Sequence, residues 1–167
     1  MGEKETLIKE EVKYSGLGSF KDAYAFAHSW LKESGFGITE DAYSEKIKGN
    51  EKDIDVSWNC SKKLSDYFKA LLAIKISAKG VTDVEVEIDG KRKQMNKFGE
   101  IKISIKGTIE RDAGNKWGGT SMQQFFKDTY HKYVIPQRVS EREDAVVSIV
   151  QDFKEQMKTF FELSGRR

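Results

Sequence analysis

From Tyr43 to Ile109 apolar residues alternate with charged and polar ones, and this period of two constrains the fold more than any other feature of the chain. Ile54, Val56, Trp58 and Cys60 alternate with Asp53, Asp55, Ser57 and Asn59. Phe68, Ala70, Leu72, Ile74, Ile76 and Ala78 form an apolar row whose opposite side carries Tyr67, Lys69, Lys75, Ser77 and Lys79. Successive strand side chains point to opposite faces, so each run is a strand with one face turned to a core and the other to water.

Turn residues punctuate these runs. Tyr43 and Ile47 precede Gly49-Asn50 and should form a hairpin with the Ile54–Cys60 run. Gly80 is read as the end of the long Phe68–Ala78 strand. Val84, Val86 and Ile88 make a further strand, closed by the hairpin dipeptide Asp89-Gly90. The segment KRKQMNKF reads as a weaker strand or an excursion, and Ile101, Ile103, Ile105 and Ile109 complete the meander. With a first strand over Thr6 to Tyr14, the expected sheet has about six strands.

A sheet apolar on one side needs a cover, and amphipathic helices supply it. Ser19 stands as an N-cap with Asp22 three residues on; Phe20, Ala23, Tyr24, Ala27, Trp30 and Leu31 then recur at helical spacing until Gly35. A second stripe, Met122, Phe125, Phe126, Thr129, Tyr130, Tyr133 and Val134, follows a possible cap at Thr120 or Ser121 and should end or kink at Pro136. Ser140 with Glu143 resembles a capping box for a fresh start, leading to Val146, Val150, Phe153, Met157 and Phe160. The expectation is one α+β domain over residues 1–167: a meander-type antiparallel sheet covered on one face by an N-terminal helix and by one long, Pro-broken helix or two C-terminal helices. That order is compatible with a helix-grip (START-like) architecture, in which a curved sheet wraps a C-terminal helix.

Composition narrows the functions. Lys and Arg total 29 against 27 Asp and Glu, a formal charge of +2 that creates no global field for nucleic acid or an anionic membrane. A nucleic-acid partner is therefore not expected, and any electrostatic partner must meet a local patch. The longest aliphatic run, Ala70 to Ile74, is far short of a bilayer span, and the N-terminal segment has no signal-peptide core. The lone Cys60 cannot close a disulfide within the chain. The expected setting is cytoplasmic.

Catalytic motifs are not legible: no glycine-flanked nucleophile, P-loop, dinucleotide fingerprint or zinc spacing occurs. His28 and His131 both fall on helix flanks, and neither has a second ligand at a metal-binding spacing. Asp53 with Asp55, and Glu85 with Glu87, read as solvated sheet faces. No catalytic residue, metal or cofactor is expected. The leading expectation is a non-enzymatic binding protein with an apolar pocket between the sheet and the C-terminal helices. Trp30, Trp58, Phe126 and Tyr130 would line it, with Trp117 at its mouth, for a small apolar ligand. A second expectation is self-association or a protein partner, through the last helix with its Phe160, Phe161 and Leu163 or through a sheet edge. A third is weak nucleic-acid binding through Lys91, Arg92, Lys93 and Lys97, with Phe98 nearby for stacking.

Overall fold

A computed structural model describes residues 3–111 and 135–165. Five strands and two helices follow in the order β1 (Glu3–Gly18), α1 (Phe20–Glu33), β2 (Gly37–Lys48), β3 (Glu51–Lys63), β4 (Phe68–Ile88), β5 (Lys91–Arg111) and α2 (Ile135–Gly165). The sheet is antiparallel throughout, in the order β1-β5-β4-β3-β2. Strands β2 to β5 form a meander, and β1 closes the far side by pairing with β5.

The expected count of about six strands becomes five among the described residues, because the chain runs on through Gly80 as one strand. Gly80 has φ +61, a conformation glycine adopts without steric cost. Across the ladder, a Cβ on Gly99 would lie 2.9 Å from the Lys79 carbonyl oxygen. Two glycines let the backbones approach and the ladder continue, with Lys79 opposite Glu100 on one side of the bend and Thr82 opposite Lys97 on the other. Inward parity changes here, from Ala78 to Val81, and the β3–β4 register shifts between Lys52 and Ile54. The weak segment KRKQMNKF is accordingly the first third of β5. The Asp89-Gly90 turn has φ of 51 and 77, the paired positive values a two-residue hairpin of matching twist requires.

Helix α1 forms where its sequence signals place it. The Asp22 N–H donates to Ser19 Oγ at 3.2 Å, and the buried stripe is Phe20, Ala23, Ala27 and Leu31. At its end the Phe36 N–H donates to the Leu31 carbonyl and Gly35 N–H to that of Lys32, with Gly35 at φ +95. This left-handed closure satisfies carbonyls the helix leaves open.

Helix α2 departs from expectation at its start. Pro136 is its second residue, where the missing N–H has no helical acceptor to lose. Ser140 lies inside the helix and does not cap a new one. Glu143 is instead held by Arg111, which donates to it at 2.9 Å and also bonds Glu5. The stripe expected over residues 122–134 lies outside the described residues.

Both helices pack on the same face of the sheet. One cluster joins Ala23, Ala27 and Leu31 of α1, Val146, Val150, Phe153, Met157 and Phe161 of α2, and the inward residues of the strands. Phe161 stacks on Tyr14 at 5.1 Å and Phe160 on Phe26 at 4.9 Å, so two of the three terminal apolar residues are used internally and only Leu163 is exposed. Tyr67, expected on the wet side of a strand, is buried ahead of β4 in a small satellite cluster with Phe68 and Ile109.

Candidate functional site

Among the described residues, the sheet is wider than its helical cover. α1 lies beside β2, yet the inward face of this edge strand is left half open, with Tyr43 48% and Ile47 74% exposed. Between helix and hairpin lies a groove of about 330 Å³ lined by Phe20 and Tyr24 of α1, Tyr43 and Glu45 of β2, and Lys52 and Ile54 of β3. Lys21 and Asn96 complete its rim.

The polar groups of this groove are positioned by their neighbours. Tyr24 Oη donates to Glu40 Oε1 at 2.7 Å, and the indole N–H of Trp58 donates to the same oxygen at 3.3 Å. Tyr43 Oη donates to Glu45 Oε1 at 2.8 Å. Asn96 accepts from the Phe20 N–H at 2.9 Å and donates to Asp83 at 2.9 Å, which ties the start of α1 to the β4–β5 hairpin. Partial burial, then the hydrogen bond to Glu45 and its charge, push the Tyr43 phenol up to about 12. Burial and Glu40 also raise Tyr24. Both phenols stay protonated at neutral pH and act as donors that orient carboxylates, not as bases.

Beneath the groove is an aromatic platform. Tyr24 meets Trp58 edge-on at 5.0 Å and stacks on His28 at 6.3 Å, while His28 meets Trp58 edge-on at 5.6 Å. His28, expected on a solvent-facing flank, is thus half-buried in this cluster. Trp58 is buried behind Tyr24, outside the groove lining, and its indole N–H meets Glu40. Trp30 points elsewhere: it is half-buried and packs edge-on against Phe153 of α2 at 5.5 Å. The structure therefore separates these two tryptophans. Trp117, Phe126, Tyr130 and His131 lie outside the described residues.

In the basic segment Arg92 meets acids across the hairpin, while Lys93 and Lys97 stand opposite Val86 and Thr82. Arg92 stands opposite Glu87 and Lys91 opposite Ile88, and Arg92 reaches Glu85 at 3.9 Å. Phe98, expected as a stacking residue, is buried under Gly18. Lys91, Arg92, Lys93 and Lys97 are exposed but share no surface aromatic there. Among the described residues, no group of three His, Cys, Asp or Glu could hold a metal ion, and no helix is long and apolar enough to cross a membrane.

Cys60 is buried on the inward side of β3, and burial pushes its thiol up to about 12. The thiolate is the reactive form. Folded protein at about pH 8 should therefore resist iodoacetamide, with one equivalent reacting in denaturant as mass spectrometry would count it. Rapid labelling of the folded chain would mean that β3 opens readily.

Sequence reasoning missed Tyr43, Glu40 and Glu45 as site residues. Alternation assigns Tyr43 to the inward face, but that β2 is an edge strand only partly covered by α1 is a property of the topology. The edge itself is blunted against further pairing by a bulge between Glu40 and Ala42 and by Lys46 and Lys48. Comparison with known proteins finds no significant match to a family model, to a curated protein or to a solved structure.

Proposed function

We propose that the protein is a binding protein whose ligand site is the groove between α1 and the β2–β3 hairpin, and that its ligand is a small ring-bearing molecule with a hydrogen-bond donor. The observation that carries this reading is the tyrosine-oriented carboxylate Glu45 on a wall with Phe20, Tyr24, Tyr43 and Ile54, with Glu40, outside the lining, holding the Tyr24 hydroxyl. Rings supply an apolar stacking surface, and carboxylates held in place accept a donor without reorganising. A volume of about 330 Å³ is at the small end of ligand sites.

This reading moves the pocket from the C-terminal helix to the N-terminal one. Supporting the move, the α2 residues that face the sheet, from Val146 to Phe161, are fully packed. Binding is favoured over catalysis because the groove's acids and phenols are engaged with one another and neither phenol is activated. The element order and the shared helical face support a helix-grip arrangement in which the groove occupies the margin the helices do not reach.

The test is a fragment screen by protein NMR, using phenol- and indole-amine probes. Shifts should cluster at Phe20, Tyr24, Tyr43 and Ile54, and Tyr43→Ala should weaken the best fragment by about tenfold while leaving the fold intact. Fragments that map elsewhere, or bind Tyr43→Ala equally well, would sink the assignment.

A further inference from the structure

The face of the sheet opposite the helices carries a lysine arrangement that the fold itself does not neutralise. On this face Lys13 of β1 stands directly opposite Lys102 of β5, and Lys9 directly opposite Lys106. Like charges directly opposed across strands are destabilising. The first pair is resolved by Glu11, which lies 3.4 Å from Lys13 and 3.7 Å from Lys102. Further along, Asp55 does the same for Lys79 at 3.5 Å. The second pair has no such acid. Glu10 turns to the helical face, where Lys154 donates to it at 2.8 Å, and Glu11 is already shared.

Lys75 joins this unresolved pair. Lys106 is paired with Ala73 of β4, and Lys75 is two residues on, on the same face. Diagonal neighbours of this kind have Cβ atoms about 7–8 Å apart, within reach of long side chains. Lys9, Lys75 and Lys106 are exposed and border one depression of about 710 Å³ that Ala73 and Ser104 also line, with Glu10 and Glu11, each already engaged by another lysine, at its β1 side. No ion pair reaches any of the three among the described residues.

We infer that Lys9, Lys75 and Lys106 form a binding site for a small soluble anion carrying two or more phosphate groups. Three ammonium groups with no ion pair among the described residues outnumber the two acids of the depression, both of which are engaged elsewhere, and leave positive charge for an anion to meet. The residue type selects the ligand. Every cation here is a lysine, a point charge suited to phosphate, whereas planar bidentate capture of carboxylates favours arginine. Among the described residues the face has no aromatic side chain on which a nucleic-acid base could stack. An anion bound between Lys9 and Lys106 plays the part Glu11 plays for Lys13 and Lys102.

Calorimetric titration with sodium tripolyphosphate tests this. The intact chain should bind, with affinity that falls as salt rises. Lys9→Gln with Lys106→Gln should weaken binding by about tenfold or more. The same exchange at Lys91 and Lys93, on the hairpin tip, should leave it unchanged. Thermal unfolding gives an independent reading: the Lys9/Lys106 variant should melt no lower than the intact chain without anion, and should lose the upward shift that tripolyphosphate gives the intact chain. Absence of binding, equal binding by the double variant, or equal loss from the hairpin-tip variant would each overturn the site. Tighter capture of a DNA duplex, with a salt slope reporting many released counterions, would overturn the small-anion assignment.

Discussion

Replacing Phe153 with alanine should cost about 3–5 kcal/mol of unfolding free energy and lower Tm by on the order of 10 °C. Phe153 is fully buried at the centre of α2, among the inward side chains of the sheet and edge-on to Trp30 of α1. It is the point at which both helices and the sheet meet. Removing its ring opens a cavity between three elements, none of which can close it without dragging the others. Phe160, half-buried at the margin and stacked on Phe26, is the internal control. Its alanine variant should lose about half as much or less, because the site can fill with water or relax. Urea unfolding followed by circular dichroism measures both. A loss at Phe153 no larger than that at Phe160 would mean that α2 does not pack on the sheet as described.

The same contrast shows what local sequence can and cannot carry. α1 was legible because everything it needs lies within one short stretch: Ser19 for its first turn, the Phe20–Leu31 stripe for its buried face, Gly35 for its closure. The burial of Trp58 and Cys60 was legible for a related reason, since alternation with Asp55, Ser57 and Asn59 leaves one face only. Gly80 was misread because its role depends on Gly99, its neighbour across the ladder and distant along the chain. Alone, a glycine after a strand looks like an end; opposite a second glycine it is a bend.

The candidate site fails to show in the sequence for the same physical reason. Period two says which face Tyr43 and Ile47 share with Ile54, but not that this part of the face lies outside the helices' cover. Strand order decides that, and strand order is a long-range property. The opposition of Lys9 to Lys106 needs the register of β1 on β5, two segments at opposite ends of the sheet's sequence. A net charge of +2 hides it, because a sum over the chain does not show which charges stand opposite one another.

Gly107→Ala is the second large effect, and its sign is diagnostic. In a strand with ordinary backbone angles, replacing glycine by alanine stabilises by about 0.4–1 kcal/mol through the unfolded state. Here a Cβ would lie 2.7 Å from Val150 Cγ2, 3.1 Å from Val146 Cγ1 and 3.2 Å from Ile8 Cγ2. All three neighbours are β-branched and stiff at χ1, so they cannot rotate away cheaply. The expected outcome is a loss of about 1–3 kcal/mol, as for other overpacked cores. Val150→Ala, which removes the closest methyl group, should itself cost on the order of 2 kcal/mol as a buried truncation. The two changes are complementary in shape, so the double variant should cost less than the sum of the singles by about 0.5–3 kcal/mol. Additive losses would place α2 away from β5 at this point. A favourable coupling would show that Gly107, the one gap in the Ile101–Ile109 alternation, is the seat on which α2 rests.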